Sequence, residues 1–173
     1  DMVGYPSMLK ASNGGGGRGM RIVNDPADLE KEVNEARNES KKAFGYDMIF
    51  VEKYLKGPKH IEVQVIGDNY GNVVHLFDRD CSVQRRHQKV IEFTPALCLT
   101  DAQREAICAD AIKIAKAVDY RSAGPVEFLL DPSPGKQYFI EMNPRIQVEH
   151  TVTDMVTGID PVHSQILVAE GNE

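Results

Sequence analysis

The fold of this chain is best predicted from two stretches, RDCSVQRRHQK at residues 79–89 and EMNPRIQVEH at residues 141–150. The first places cationic side chains and a histidine around two amides, and the second combines carboxylates with an asparagine and an arginine. Both stretches are too polar to be predicted as core. Proteins bring such groups together to hold anions and metal ions, so the two stretches predict a ligand site.

Length and charge narrow the class of protein. A chain of 173 residues with 42% hydrophobic residues can bury a real core and has the size of one or two small domains. The net charge of −6 argues against general binding to nucleic acid or to a membrane surface, because the basic groups are local. No apolar run approaches the roughly twenty residues that a membrane-spanning helix needs. We expect a globular protein that binds a small anion.

The cysteines indicate the cellular compartment, and the first residue indicates a piece of a longer protein. Cys81, Cys98 and Cys108 are odd in number and have no metal-binding spacing, which favours reduced thiols in a reducing compartment. We therefore expect a cytoplasmic protein. The chain begins at Asp1 and has no signal-like N-terminus, as expected of a piece excised from a longer protein.

Strands and helices alternate along the chain. Residues 5–12 and 20–23 are predicted strands, and the glycine-rich loop between them makes them a β-hairpin. Asp25 is the predicted N-cap, and Pro26 the first residue, of a helix that Gly45 ends.

The second part of the chain continues the pattern. Thr100 and Gln103 form a predicted capping box that opens a helix through Val118, and Asp160-Pro161 opens a last helix. The remaining predicted strands are residues 48–55, 60–65, 73–77, 126–130 and 138–143. In the strand at residues 60–65, the polar side chains share one face; they are His60, Glu62 and Gln64.

The glycine loop does not belong to a known nucleotide fingerprint. Gly14, Gly16 and Gly19 satisfy the spacing GxGxxG, but a strand rather than a helix follows, which excludes a dinucleotide-binding turn. No Lys-Ser/Thr pair follows Gly19, which excludes a Walker A loop. Two interpretations remain: a mobile hairpin tip whose backbone N–H groups close over phosphates beside Lys10, or a merely flexible surface turn.

A second group of candidates lies on the last predicted hairpin. Glu141 and Asn143 are two residues apart on one strand and share a face, and Glu127 on the partner strand can lie opposite. Two unpaired carboxylates would repel each other, so either one of them is protonated or a divalent cation lies between them. Mg²⁺ bridging to phosphate oxygens suits these ligands. The alternative is a pair of solvated carboxylates on an edge strand.

Lys89, Arg145 and Glu149 form a third group. Two fixed cations near a carboxylate suit a small planar anion such as bicarbonate, because the cations hold it and the carboxylate accepts its proton. An ordinary surface ion-pair network would use the same residue types.

Five runs resemble the biotin carboxylase component of biotin-dependent carboxylases, an ATP-grasp family. They cover nearly the whole chain in order and are residues 10–20, 50–55, 59–65, 79–90 and 139–151. Within that family, residues 80–89 and 150–153 are most similar in sequence to the pyruvate carboxylase branch. The resemblance implies an α+β ATP-grasp fold, with a lid lobe at residues 1–53 and an incomplete central catalytic lobe, with antiparallel sheet and helices, at residues 54–173.

The resemblance also implies a ligase reaction and a set of roles. As the biotin carboxylase part of a pyruvate carboxylase or an acyl-CoA carboxylase, the protein would carboxylate biotin with bicarbonate through carboxyphosphate, using ATP and Mg²⁺ or Mn²⁺. Glu149 would be the base, Lys89 would bind bicarbonate, and Arg145 would also stabilise the biotin enolate. The other bicarbonate ligands would be Gln147 and Val148, and the metal ligands Glu127, Glu141 and Asn143. The ATP-binding residues would be Lys10, Gly16, Gly17, Glu52, Lys53, Tyr54, Leu55, His60, Gln84, His87, Glu127 and Glu141.

The resemblance implies partners outside this chain. These are the biotin carboxyl carrier and carboxyltransferase parts, and a homodimer is possible. Family members carry a further nucleotide-binding Lys and a further Arg near biotin beyond the matched region, so we expect the isolated chain to be inactive or weakly active. Pro125 stands where the family usually has Thr and removes a donor from the strand that leads to Glu127. The alternatives are another ATP-grasp ligase and a non-catalytic ATP-binding fragment.

Overall fold

A computed structural model describes residues 3–14, 19–131 and 135–173 of the chain. The chain divides into two compact units, one formed by Asp1–Lys56 with Arg85–Gln88 and the other by Gly57–Gln84 with Lys89–Glu173. Gly16 and Gly17 lie outside the described residues. The assignment of residues 1–53 and 54–173 to a lid and a catalytic lobe stays a prediction.

The smaller unit contains a three-stranded antiparallel sheet and one long helix. Strand β1 (Ser7–Ala11) lies between β2 (Met20–Val23) and β3 (Ile49–Lys53). Helix α1 (Leu29–Phe44) follows β2. Its apolar side packs on the sheet, and the buried residues of this core are Leu9, Val23 and Ala36. The predicted hairpin is confirmed.

The predicted caps of α1 are present, with one difference. Asp25 accepts a hydrogen bond from the Ala27 N–H at 2.8 Å, but the turn it caps, Pro26–Asp28, is a 3-10 helix that leads into α1. Gly45 ends α1 in the left-handed conformation with φ 74°, which costs glycine least because it has no Cβ.

The larger unit is built on a five-stranded sheet in the order β6-β5-β4-β7-β8. Strand β4 pairs antiparallel with β5 and with β7, and β7 pairs antiparallel with β8. The strands are β4 (Lys59–Gly67), β5 (Val73–Arg85), β6 (Gln88–Phe93), β7 (Ser122–Leu130) and β8 (Gln137–Met142).

Three helices accompany this sheet: α2 (Asp101–Ala117), α3 (His150–Thr157) and α4 (Pro161–Ala169). Thr100 and Gln103 form the predicted capping box at the start of α2, and Asp160 caps α4. Apolar residues of α2, such as Ile107, join the apolar residues of β4 and β7 in one buried core. None of the helices in the described ranges has the length and apolar character that crossing a bilayer requires.

Residues 79–89 are partly core, so the prediction that they are too polar to be buried is wrong for their first part. Arg79, Asp80 and Cys81 are at most 2% exposed and continue β5 far beyond its predicted end at residue 77. Arg79 can be buried because Glu62 on the neighbouring strand pairs with it. Sequence patterns also missed β6 and α3.

Pro125 lies in the interior strand β7 without breaking its pairing to β4, where it is opposite Gln64. In an extended strand the N–H and the C=O of one residue point to the same side. The Pro125 carbonyl accepts from the Asn143 N–H at 3.0 Å, just beyond the end of β8. The missing N–H therefore faces β8, and the irregularity in the β7–β8 register falls after Glu127.

Candidate active site

Lys89 on β6 is the centre of a partly buried cluster of charges in the larger unit. Its Nζ lies 2.5 Å from Glu62 Oε2 and 3.0 Å from Glu127 Oε1, and it forms a very short contact with Glu149. It also donates to Gln147 Oε1 at 3.2 Å. Burial by itself would lower the Lys89 pKa, but the charges of Glu62 and Glu127 outweigh it and raise the pKa. Lys89 is therefore a permanent ammonium group.

Strand pairing places the carboxylates of this cluster. Glu62 on β4 and Glu127 on β7 are directly opposite in the register, so their side chains lie on the same face of the sheet. Glu149 is the residue before α3 and is 8% exposed. Three elements that are far apart in the sequence thus bring their carboxylates to one ammonium group.

Glu127 is an ionised carboxylate held by several donors. Its Oε2 lies 2.9 Å from His60 Nε2, and its Oε1 accepts from Lys89 and, at 3.0 Å, from Asn143 Nδ2. Burial raises the pKa of Glu127, but the close contact with His60 Nε2 and the charge of Lys89 together lower it to about 2. Gln84 Nε2 lies 2.8 Å from His60 Nδ1, which leaves the ring proton on Nε2, facing Glu127.

The predicted metal ligands lie on neighbouring positions. Glu127 and Glu141 are directly opposite in the β7–β8 register, and Asn143 follows the end of β8. The expectation of two unpaired carboxylates is wrong for Glu127, because the Lys89 ammonium group forms an ion pair with it and His60 Nε2 lies 2.9 Å from its other oxygen. Glu141 is exposed. Two carboxylates and an amide at one edge of the site are the hard oxygen donors that Mg²⁺ prefers, so the donor set fits this ion.

A second group of possible ligands lies deeper in the same site. Among the described residues, His60, Glu62 and Glu127 have ligand atoms within 4.8 Å of one another, as do Glu62, Cys81 and Glu149. Lys89 contacts Glu62, Glu127 and Glu149 and already supplies a positive charge there.

The predicted bicarbonate residues are only partly brought together. Lys89, Gln147 and Glu149 are in direct contact. Arg145 is exposed and donates to the Ile146 carbonyl at 3.3 Å, and within the described ranges no hydrogen bond or ion pair joins it to Lys89 or Glu149. Val148 is 90% exposed. The structure thus brings Lys89, Gln147 and Glu149 together and leaves Arg145 exposed.

The predicted ATP-binding residues are divided between the two units. In the smaller unit, Lys10 on β1 forms an ion pair with Glu52 on β3. Leu55 is 7% exposed, and the backbone N–H of Tyr54 donates to the Pro6 carbonyl at 3.3 Å. The structure places Lys53 at the end of β3, His87 in the turn after β5, and His60, Gln84, Glu127 and Glu141 in the larger unit.

Arg79 is a partner of Glu62 on the other side of the cluster that the sequence patterns did not predict. The Arg79 guanidinium donates from Nε to Glu62 Oε1 at 2.6 Å, and from Nη1 to Gln64 Oε1 at 3.0 Å and to Thr153 Oγ1 at 2.7 Å. The signal was the polar face of residues 60–65: two of its members are fully buried in the sheet and require a buried partner.

The whole chain, residues 1–173, matches the family described as the carbamoyl-phosphate synthase L chain, ATP binding domain. The chain belongs to this family.

Relatives narrow the similarity to biotin carboxylases. The pyruvate carboxylase of Aspergillus niger is 58% identical over 171 residues, which are 99% of this chain and 14% of that protein. A biotin carboxylase from Campylobacter jejuni, described as a complex with β,γ-ATP, has a TM-score of 0.94 and 53% identity, and the match covers 99% of this chain and 38% of that one.

A further solved structure contains several ligands. The biotin carboxylase domain of the 2-oxoglutarate carboxylase from Hydrogenobacter thermophilus was solved as a dimer with magnesium ADP, ADP and bicarbonate. It has a TM-score of 0.91 and 53% identity over 99% of this chain and 38% of that one. These likenesses confirm the predicted α+β ATP-grasp fold. The chain spans 14% of the curated relative's length.

Proposed function

We propose that this chain forms the ATP-binding part of a biotin carboxylase and takes part in the ATP- and Mg²⁺-dependent carboxylation of biotin by bicarbonate through carboxyphosphate. The observation that carries the proposal is the contact of Lys89 with Glu149 and Gln147, deep in a site whose other wall is Glu62 and Glu127. The magnesium ADP and bicarbonate in the Hydrogenobacter structure support it.

Lys89 and Glu149 have different roles in this proposal: Lys89 binds the anion and Glu149 removes its proton. The ammonium group of Lys89 and the amide of Gln147 would hold bicarbonate, and Arg145 would cover it from the surface. The Glu149 carboxylate would take the proton of bicarbonate. A carbonate oxygen then attacks the γ-phosphorus of ATP, the bond from that phosphorus to the oxygen of the β-phosphate breaks, and ADP leaves with that oxygen. The products of this step are carboxyphosphate and ADP.

The carboxylates at the edge of the site would hold the cation that accompanies ATP. Glu127, Glu141 and Asn143 would bind Mg²⁺, which neutralises part of the triphosphate charge when bound. In the smaller unit, a phosphate group would compete with Glu52 for the ammonium group of Lys10. We place Gly16, Gly17, Lys53 and the residues around them in ATP binding on the resemblance alone.

The proposal includes partners and a location. The carboxyl group would pass to biotin on a carrier part, and from there to a carboxyltransferase part, neither of which belongs to the matched region. A homodimer is proposed because the Hydrogenobacter domain was solved as one. A cytoplasmic location is proposed because Cys81, Cys98 and Cys108 are all free thiols.

Calorimetric titration of this chain with a non-hydrolysable ATP analogue tests the ATP and Mg²⁺ steps. We expect Mg²⁺ to strengthen binding, and we expect the Glu127→Ala, Glu141→Ala double variant to lose that gain. The matched control is the Glu30→Ala, Glu105→Ala double variant, which removes two exposed carboxylates from helices. Equal Mg²⁺ dependence in both double variants would contradict the assigned metal site.

Activity is tested by placing this chain in the Aspergillus niger pyruvate carboxylase in place of the matching region. The chimera should cleave ATP only when bicarbonate and biotin are both present. Lys89→Ala should lower that rate by about 100-fold or more, as expected when a charge that holds the reacting anion is lost. Lys113→Ala, at an exposed lysine of α2, should leave the rate unchanged. Bicarbonate-independent ATP cleavage by a folded chimera would overturn the proposed function.

A further inference from the structure

Arg79 is a fully buried cation to which the proposed function assigns no role. It lies in β5 and is 0% exposed, and its side chain forms no hydrogen bond or ion pair with a predicted ATP ligand in the described ranges. Its three hydrogen bonds go to Glu62, Gln64 and Thr153. These partners lie on β4 and α3, so one guanidinium group joins the sheet to the helix that Glu149 precedes.

The contacts continue from Arg79 to the reacting groups through Glu62. One oxygen of Glu62 accepts from Arg79 Nε at 2.6 Å, and the other accepts from Lys89 Nζ at 2.5 Å. The planar guanidinium group thereby fixes the orientation of the Glu62 carboxylate. Glu62 in turn limits where the Lys89 ammonium group can lie relative to Glu149.

Stability alone does not account for this arrangement. The Arg79 Nη2 group is buried without a hydrogen-bond partner in the described structure. A buried ion pair with an unsatisfied donor is less favourable than well-packed apolar side chains of similar volume. The cluster contains three carboxylates, those of Glu62, Glu127 and Glu149, and two fixed cations, Arg79 and Lys89. The loss of Arg79 would therefore make the net charge of the proposed anion site more negative.

From this geometry we infer that Arg79 is a positioning residue for bicarbonate activation: it holds Glu62, and through Glu62 it places the Lys89 ammonium group against Glu149 while offsetting the negative charge of the site. The inference rests on the proposed function for its kinetic consequence. The contacts themselves can be tested without any activity.

The kinetic test uses the chimera described above with Arg79→Met. We expect KM for bicarbonate to rise about tenfold or more, because both the position and the charge of the anion site change. KM for ATP should stay within about threefold of the unsubstituted chimera, because the side-chain partners of Arg79 in the described ranges, Glu62, Gln64 and Thr153, are not predicted ATP ligands. Arg79→Lys keeps the charge and one donor and should recover part of the loss. Ile107→Ala, in the core beneath α2, is the control for general destabilisation and should leave the ratio of the two KM values unchanged.

The structural test uses the chain itself with ¹⁵N-labelled lysine. A hydrogen-bonded, buried ammonium group exchanges its protons slowly, so Lys89 should give a resolved ¹⁵N ammonium signal, assigned by its absence in Lys89→Arg. Arg79→Met should broaden or remove this signal, and Ile107→Ala should retain it.

The two experiments separate the possible failures. An unsubstituted chimera without bicarbonate-dependent ATP cleavage would count against the proposed function, and the ammonium signal would then decide the role of Arg79. An Arg79→Met protein that retains the Lys89 signal, or a folded chimera whose bicarbonate KM is unchanged, would overturn the inference about Arg79.

Discussion

At the scale of single residues, the site is a balance of buried opposite charges. Glu127 is a clear case, since burial opposes its charge while His60 and Lys89 favour it. The net effect is a carboxylate whose pKa lies at about 2 instead of the ordinary 4.5. The contacts that hold Glu127 ionised therefore also stabilise the fold above acidic pH.

This balance predicts a pH dependence of stability. A carboxylate with a lowered pKa in the folded state contributes its full stabilisation above its unfolded pKa, and the contribution is lost as the pH falls towards the folded value. For Glu127 the loss begins near pH 5 and should amount to about 2 kcal/mol between pH 7 and pH 3. Urea unfolding at the two pH values should show a smaller decrease for Glu127→Gln than for the unsubstituted chain.

The control for this measurement is Glu105→Gln, which changes an exposed glutamate on α2. It should show the same decrease as the unsubstituted chain. An equal decrease in Glu127→Gln would mean that Glu127 is not held ionised by its neighbours.

At the scale of elements, helix α2 shows which features are local. The Thr100 side chain accepts from the Gln103 N–H at 3.3 Å, and Gln103 Oε1 accepts from the Thr100 N–H at 2.9 Å. Thr100 and Gln103 are only three residues apart in the chain, so the capping box could be predicted from the sequence. Strand β6 has no comparable local signal, because polar residues of the site such as Lys89 interrupt the alternation of polar and apolar side chains.

The cap predicts the effect of a single substitution at the start of α2. Thr100→Ala leaves backbone donors of the first turn without a protein acceptor and should lower the free energy of unfolding by about 1 kcal/mol. Thr100→Ser keeps the acceptor oxygen and should restore most of it. Denaturant unfolding at neutral pH measures both, and equal losses in the two variants would show that the hydroxyl group does not cap the helix.

At the scale of the whole molecule, each unit has a core of its own. Leu9, Val23 and Ala36 are buried in the smaller unit, and a separate cluster around Ile107 and Val63 is buried in the larger one. A change in one core should therefore act first on its own unit.

Leu9→Ala tests this division, since Leu9 is 0% exposed. The cavity should cost the smaller unit about 2–5 kcal/mol. Hydrogen exchange followed by mass spectrometry should then show faster exchange in peptides from β1, α1 and β3, with protection retained in β4 and β7. Ile22→Ala, at a side chain that is 40% exposed, should change exchange little. Equal loss of protection in both units would contradict two separate cores.

Features that depend on neighbours in the chain could be predicted from the amino-acid sequence alone. These include the caps Asp25, Thr100 and Asp160, the left-handed stop at Gly45, and the pairing of residues around Glu127 and Glu141. Local hydrogen bonds and turn conformations decide such features, so short patterns reveal them.

Which charged side chains contact one another depends on long-range pairing and is seen only in the folded chain. Lys89, Glu62, Glu127 and Glu149 come from four separate segments and touch because the strand register and the start of α3 place them together. The burial of Arg79 follows from the same pairing, which supplies Glu62 as its partner. A single charged residue looks like a surface residue in sequence, and only the long-range pairing of strands shows whether an opposite charge will compensate its burial.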